Sequence, residues 1–124
     1  MYYITQQWKD IRIGFEWLKY DGTGRTGLSF SGAIQRQSDM KWLGEDGWQE
    51  EYVEQAMTEP DTTNLAGLYQ LKIPPNYCGS GETSYLGKMV GDIVLEYDPT
   101  YTVHIEFFFC ITVLQPANGR LQPL

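Results

Sequence analysis

A chain of 124 residues fits one domain, and its 42% hydrophobic and 20% charged residues exclude a disordered composition. The net charge of −7 argues against nucleic acid as a partner, because a protein that binds the phosphate backbone needs a basic surface. Two cysteines, Cys78 and Cys110, are too few for a disulfide scaffold, so we expect the fold to rest on its hydrophobic core, with a bridge between the two left open.

Neither the N-terminal sequence nor the most apolar run indicates a membrane protein. The sequence MYYITQQWKD lacks the basic and apolar regions of a signal peptide. The run VHIEFFFCITVL is too short to span a bilayer, and it contains His104 and Glu106. We therefore expect no membrane partner.

The first clear element is a strand of period two. Ile11, Ile13, Phe15 and Trp17 alternate with polar or small residues, which is typical of a half-buried strand. The glycine-rich segment DGTGRTG follows and predicts a turn. The next segment, LSFSGAIQRQ, alternates again, and we expect it to return as the hairpin partner of the first strand.

The region from Trp48 to Met57 is ambiguous, because its apolar residues fit both helical and strand spacing. We favour a strand, since the elements around it are strands. The segment TEPDTTN that follows is rich in turn-forming residues and predicts a chain reversal.

A short strand follows this turn. Tyr69, Leu71 and Ile73 alternate with polar residues up to a double proline, which ends the strand because proline cannot continue a ladder. Gly67 lies just before the strand, and we expect it to adopt a positive φ or to allow a close backbone approach.

The C-terminal half contains the strongest strand signal. The segment NYCGSGETSYLGK is predicted as a long connection, and MVGDIVLEYD as a strand. In YTVHIEFFFCITVL every odd position from 101 to 113 is apolar, so this should be the longest strand and the centre of the core. The final QPANGRLQPL shows no periodicity.

These elements predict an all-β chain of six to eight strands, most simply a two-sheet antiparallel β-sandwich. The spacing of cysteine and tryptophan in immunoglobulin domains is missing, so the sandwich is Ig-like only in the loose architectural sense. We expect one domain over residues 1–114 and a proline-containing tail over 115–124 that docks on a neighbouring subunit. The alternative is a β-domain that completes its sheet with a neighbour.

No catalytic, cofactor-binding or metal-binding set emerges from the sequence. His104 and Glu106 lie two apart on a predicted strand, where they could ligate zinc or act as base and orienter. However, the chain has one histidine, and its serines lie in no nucleophile-elbow pattern. We therefore interpret His104 as a surface or interface residue, and we expect no enzymatic activity and no cofactor.

Two features point instead to a partner. Between residues 45 and 61 lie seven carboxylates and no Lys or Arg, so the segment could dock on a basic surface, bind Ca²⁺, or form a solvated loop. Tryptophans lie near predicted turns, where they could stack on a sugar or cover the ends of the sandwich. The candidate partner-binding residues are Trp8, Trp42, Trp48, Glu50, Glu51 and Glu54.

Two segments carry a family resemblance. DGTGRTGLSFSGAIQRQSD and MTEPDTTNLAGLYQLKIP, followed by an apolar strand pair, resemble small β-sandwich modules of tailed-bacteriophage virions, over roughly residues 9 to 114. The acidic middle and the proline-containing tail depart from that pattern. The resemblance rests on the Thr26–Gly27–Leu28 turn and on Thr58, Glu59, Asp61, Asn64, Gly67, Leu68 and Tyr69.

The resemblance implies a non-enzymatic structural or adaptor protein of a virion, assembled in the host cytoplasm and associated with the tail, fibre or baseplate. Its partners would be other virion proteins and copies of itself. One alternative it implies is a capsid decoration protein. The tryptophans motivate another, a carbohydrate-binding module that contacts a glycan on the host surface.

Overall fold

The computed structural model describes residues 2–6, 11–74, 84–117 and 120–123, with side chains described over 12–74 and 84–113. Trp8 and Cys78 lie outside these ranges. Within them the protein is all-β, as the sequence predicts, and contains no helix that could cross a membrane. The strands are β1 (Tyr2–Gln6), β2 (Ile11–Glu16), β3 (Phe30–Arg36), β4 (Trp42–Gly44), β5 (Gly47–Gln49), β6 (Gln55–Ala56), β7 (Leu68–Ile73), β8 (Ser84–Val94), β9 (Thr102–Ala117) and β10 (Arg120–Pro123).

The described residues form ten strands, against six to eight predicted, because several strands are too short for alternation to reveal. The ambiguous region after Trp48 is an example. It supplies the end of the three-residue β5 and the two-residue β6, with irregular backbone between them.

Eight strands form the larger sheet, along the path β1-β9-β8-β3-β4-β5, with β10 beside β9 and β6 beside β3. The longest pair is β8–β9, which is antiparallel from Ser84 opposite Thr112 to Val94 opposite Thr102. β1 pairs with β9 in parallel, so this sheet is antiparallel everywhere except at that pair.

The smaller sheet consists of β2 and β7, which pair antiparallel with Phe15 opposite Tyr69. The predicted hairpin between β2 and β3 is therefore wrong, since β3 lies in the larger sheet between β8 and β4. The expected turn does form: Arg25 N–H donates to Trp17 O at 2.9 Å. Beyond it the chain passes through Gly27, at φ +80°, and crosses to the other sheet.

The core lies between the inward faces of the two sheets. On β9 the odd positions point inward, as alternation predicts: Phe109, Ile111 and Val113 are buried, while Val103 near the start of the strand is exposed. The smaller sheet contributes Ile13, Leu71 and Ile73, and the larger also contributes Phe30, Ile34, Leu43, Tyr85, Met89 and Ile93.

Aromatic rings join the two sheets at one end of this core. Phe15 of the smaller sheet meets Phe30 of the larger edge to face, with ring centroids 4.7 Å apart. Tyr69 lies 4.8 Å from Phe30, and Phe107 lies 5.3 Å from Phe15. Edge-to-face pairs of this kind stabilise a core beyond the apolar area that they bury.

The segment that contains β6 forms a corner between the sheets. Met57 N–H donates to Phe30 O in the larger sheet at 2.8 Å. The next residue, Thr58, exchanges two hydrogen bonds of 2.8 Å with Gln70 in the smaller sheet. One short stretch of chain therefore satisfies backbone groups of both sheets, as strands at sandwich corners do.

A backbone crossing lies at the entrance to β7. Gly67 has a φ of +84°, and a Cβ there would lie 2.5 Å from Trp17 O and 2.8 Å from Gly24 Cα. Trp17 N–H donates to Gly67 O at 2.8 Å. The expectation that Gly67 adopts a positive φ or allows a close backbone approach is confirmed, and the structure shows both. Gly24 is equally confined, because a Cβ there would overlap the carbonyl group of Ala66.

Tyr69 fixes the chain on the other side of this crossing. Its buried hydroxyl donates to Arg25 O at 2.7 Å and accepts from Leu28 N–H at 3.1 Å. Nearby, the Glu59 carboxylate accepts from Gly27 N–H at 2.7 Å. Burial raises the pKa of the Tyr69 phenol, so it remains a neutral donor at physiological pH.

The predicted connection at 76–88 in fact contains the start of β8, at Ser84. Glycine in this segment predicts a loop, but in β8 the missing side chains of two glycines leave space for the rings of phenylalanines on neighbouring strands. A Cβ at Gly91 would lie 2.5 Å from Phe30 Cδ1, and one at Gly87 would overlap the ring of Phe109. Both glycines face directly across to these phenylalanines in the sheet register.

Residues 115–117 and 120–123 also belong to the larger sheet. The segment predicted as a tail continues β9 to Ala117 and returns as β10, with Leu121 opposite Pro116. Its sequence lacks alternation, which is why it was not predicted as a strand. Docking of this segment on a neighbouring subunit stays a prediction.

We predict that Gly67→Val lowers the free energy of unfolding by about 1–3 kcal/mol from backbone strain, and further from overlap with Trp17 O. Gly22→Val is the matched control, because Gly22 has a φ of +89° but nothing within 4 Å of its added Cβ. Urea unfolding of both variants measures the difference. Equal losses would show that the crossing at Gly67 is not tight.

We predict that Gly87→Ala also destabilises the fold, by about 1–3 kcal/mol, because its methyl group would overlap the Phe109 ring. Phe109→Leu alone should destabilise by leaving a cavity. The double variant should be more stable than the sum of the two losses implies, since each change relieves the other. Strict additivity in thermal unfolding would contradict this packing.

Candidate functional site

We call the side of the larger sheet that points away from β2 and β7 the outer face. Its position follows from the β8–β9 register, in which successive side chains alternate between this face and the core. The members of the outer face on these two strands are Ser84, Leu86, Lys88, Val90, Asp92, Val94, Thr102, His104, Glu106, Phe108, Cys110 and Thr112.

A groove of about 210 Å³ lies on this face. Phe108 and Leu86 on its walls are 66% and 43% exposed, which is high for large apolar side chains within long strands. The groove is lined by Gln35, Trp42, Leu86, Gly87, Lys88 and Phe108.

Trp42 of the groove lining packs against Tyr52, and the two rings form an aromatic wall beside the groove. Their rings meet edge to face with centroids 4.8 Å apart. The Tyr52 hydroxyl donates to the Glu54 carboxylate at 2.5 Å, and the Lys88 ammonium lies 5.1 Å from the Tyr52 ring centroid. The wall therefore combines aromatic surface with one fixed cation and one fixed carboxylate.

A second polar cluster adjoins the groove further along β8 and β9. His104 Nδ1 lies 2.8 Å from the Asp92 carboxylate, and its Nε2 lies 3.1 Å from the Glu106 carboxylate. Lys88 lies 3.7 Å from the same Glu106 oxygen. The Glu106 and Asp92 carboxylates raise the pKa of His104, and His104 in turn lowers the pKa of Glu106.

The predicted tryptophan residues do not share one surface. Trp42 lies on the outer face, whereas Trp48 stacks on buried Tyr85 from the core side, with ring centroids 5.5 Å apart. The Arg36 guanidinium covers the Trp48 ring at 4.8 Å. The two are one position out of register across the β4–β5 hairpin, which places them on opposite sides. Trp8 lies outside the described residues.

The predicted acidic residues divide in the same way. Glu54 borders the groove through Tyr52, while Glu50 is exposed 3.7 Å from Lys41, and Glu51 is exposed beside it. Two others of the acidic segment serve the fold: Glu59 bonds to Gly27, and Asp61 accepts from the backbone of Thr63 and Asn64. The segment is thus not one uniform charged surface.

Five residues of this surface were not predicted from the sequence: Tyr52, Leu86, Lys88, Asp92 and Phe108. Phe108 could have been identified, because it is an apolar residue at an even, outward position of β9. Asp92 could not have been identified, since only the cross-strand register brings it opposite His104. Cys110 lies in a strand that the sequence predicts for the centre of the core, but its side chain is exposed on the outer face as a free cysteine.

Within the described residues, no group of three or more His, Cys, Asp or Glu side chains has a geometry that could hold a metal ion. The cluster around His104 is a network of hydrogen bonds and ion pairs on the sheet surface. Both ring nitrogens of His104 contact carboxylates, so each donates a hydrogen bond when the ring is protonated.

No protein-family model, curated protein sequence or solved structure matches this chain.

We predict that His104 titrates above its ordinary pKa of 6.5, because Glu106 and Asp92 favour the cation. The histidine's contribution to stability is then complete below its unfolded pKa and is lost as pH rises through the folded pKa. NMR titration of the ring protons measures this pKa. Glu106→Gln and Asp92→Asn should each lower it, and Glu16→Gln, in the smaller sheet, should not. A pKa at or below 6.5 in the unmodified protein would contradict the cluster.

Proposed function

We propose that this chain is a non-enzymatic structural or adaptor protein of a tailed-bacteriophage virion, associated with the tail, fibre or baseplate. The virion origin comes from the sequence resemblance. The outer face is the observation that supports an assembly role, because it presents exposed large apolar side chains on a rigid sheet. Both ring nitrogens of His104, the one histidine of the sequence, are hydrogen-bonded to carboxylates, which favours a non-enzymatic role.

The occupant that fits the outer face is a different virion protein with an apolar surface bordered by lysine or arginine. Glu54, Glu106 and Asp92 lie around the groove, with Lys88 as the cation among them. A chain of net charge −7 adds long-range attraction to such a basic surface. Symmetric repetition in a particle multiplies contacts that would be weak singly, and it would bring copies of this chain side by side.

Capsid decoration is the second candidate within the same class. It would use the same outer face, and it differs in copy number. A tail, fibre or baseplate position requires roughly tens of copies per particle, whereas decoration of a capsid requires hundreds. Quantitative mass spectrometry of purified virions separates the two.

The test of this proposal is incorporation into particles of the phage that carries the gene. Leu86→Ser removes an apolar side chain from the groove wall, and we expect its incorporation to fall at least tenfold. Leu65→Ser is the matched control, because Leu65 is 51% exposed in the loop before β7, away from the groove. Thermal unfolding confirms that both variants fold.

Purified virions without this chain would refute the virion assignment. Normal incorporation of Leu86→Ser would refute the outer face as the assembly surface. Association of the isolated chain into dimers that Leu86→Ser abolishes would assign the groove to a second copy, against the proposed partner.

A further inference from the structure

Two loops meet at one end of the sandwich. The first, residues 17–25, follows β2 in the smaller sheet, and the second, residues 95–101, joins β8 to β9 in the larger sheet. Tyr20 N–H donates to the Glu96 carboxylate at 2.8 Å. Arg25 Nη2 donates to Val94 O at 2.6 Å. The loops of two different sheets are thus bonded directly to each other.

Each loop is also fixed internally by the same Asp-x-Thr turn. Asp21 Oδ1 accepts from the backbone N–H of Thr23 at 3.0 Å and from its hydroxyl at 2.7 Å. Asp98 Oδ1 accepts from the corresponding groups of Thr100 at 3.3 Å and 2.6 Å. Side-chain hydrogen bonds of this type hold a turn in one conformation. The loop tips are therefore preorganised.

Each of these hydrogen-bonded loops carries a highly exposed tyrosine. Tyr20 is 88% exposed and Tyr97 is 75% exposed. Their rings meet at 67° with centroids 5.7 Å apart, so they form an open corner rather than a flat platform. A space of about 460 Å³ is bounded by Tyr20, Tyr97 and Glu96. We call these three residues the tyrosine corner; the term means this exposed surface, not the buried tyrosine hydrogen bond of immunoglobulin-type sandwiches.

We propose that the tyrosine corner is a binding site for a neutral hexopyranose unit of a glycan. A pyranose ring presents a face of C–H bonds, which stacks on an aromatic face, and a rim of hydroxyls, which need hydrogen-bond partners. Tyrosine supplies the aromatic face together with a polar tip. A carboxylate offers about four acceptor sites, so Glu96 keeps capacity for sugar hydroxyls after accepting from Tyr20.

The charge of the corner selects against acidic sugars. Its lining contains one carboxylate, Glu96, and no cation. A sialic acid or uronic acid would place a second carboxylate beside Glu96, and like charges at short range repel. The corner shape also favours a compact ring, since an extended peptide would need a longer groove. These features together point to uncharged hexose units.

This inference does not rest on the assembly proposal, because it uses the loop end and not the outer face. It places the glycan site on the tyrosine corner, and not on Trp8, Trp42 and Trp48, which the sequence offered as candidates for stacking on a sugar. Of these, Trp42 and Trp48 lie on opposite sides of one hairpin. A protein that binds no glycan could still assemble into virions as proposed. Likewise, a protein that is absent from virions could still bind a glycan at this site.

The experiment is an amide NMR titration of the intact chain with a panel of neutral oligosaccharides built from glucose, galactose, mannose or N-acetylglucosamine. We expect at least one to shift the amides of residues 20–23, 96–98 and 100 in a saturable way. Tyr97→Ala and Tyr20→Ala should each weaken that binding about tenfold. Tyr97→Phe, which keeps the ring, should bind within about threefold of the unmodified protein.

Tyr101→Ala is the matched control, because Tyr101 is exposed in the same loop but does not line the corner. Its affinity should stay within about twofold of the unmodified protein. The proposal is overturned if no neutral sugar binds, if Tyr101→Ala weakens binding as much as Tyr97→Ala does, or if a sialylated oligosaccharide binds more tightly than the neutral panel. A proline-rich peptide that shifts these amides when no sugar does would also overturn it.

Discussion

The smaller sheet of this protein is fixed at the point where the backbone at Trp17–Gly24, after β2, meets the backbone at Ala66–Gly67, before β7. The segments approach so closely that neither glycine can carry a side chain without overlap. The Trp17–Gly67 hydrogen bond and the Tyr69 hydroxyl then fix both chains on either side of the crossing. Everything that the smaller sheet contributes to the core depends on this junction, because a two-stranded sheet is marginal by itself.

The same junction determines where function can lie. The smaller sheet that it completes packs on the inner side of β3, β8 and β9, and the outer face lies on the opposite side of these strands. It also positions the loop after β2 against the loop between β8 and β9. The outer face and the tyrosine corner are thus separate surfaces that arise from one packing arrangement.

Alternation predicted the faces of the long strands, because it reflects burial and needs no knowledge of partners. The inward positions of β9 and the apolar positions of β2 and β7 follow from it directly. Pairing could not be predicted in the same way, since β2 finds its partner β7 some fifty residues further along the chain. As a signal for loops, glycine gave a wrong prediction at Gly87, where it makes room for a ring within a strand. It gave a correct prediction at Gly67, where it shapes the entrance to a strand.

The candidate sites were predictable only in part, for a related reason. Trp42, identified from sequence, does line the groove, and Glu54 is connected to it through Tyr52, but Trp48 was not separable from Trp42 without the hairpin register. Leu86, Gly87 and Lys88 of the groove come from β8, whose beginning was not predicted as a strand. Tyr20 and Tyr97 could not be linked at all, because their loops belong to different sheets.

The parallel pairing of β1 with β9 has a consequence for biosynthesis. Tyr2 lies opposite Cys110, so the first strand and its partner are separated by 108 residues of sequence (110 − 2). Contacts of such long sequence separation carry a large loop-closure entropy and slow folding. On the ribosome, β1 must therefore remain without its sheet neighbour until β9 emerges.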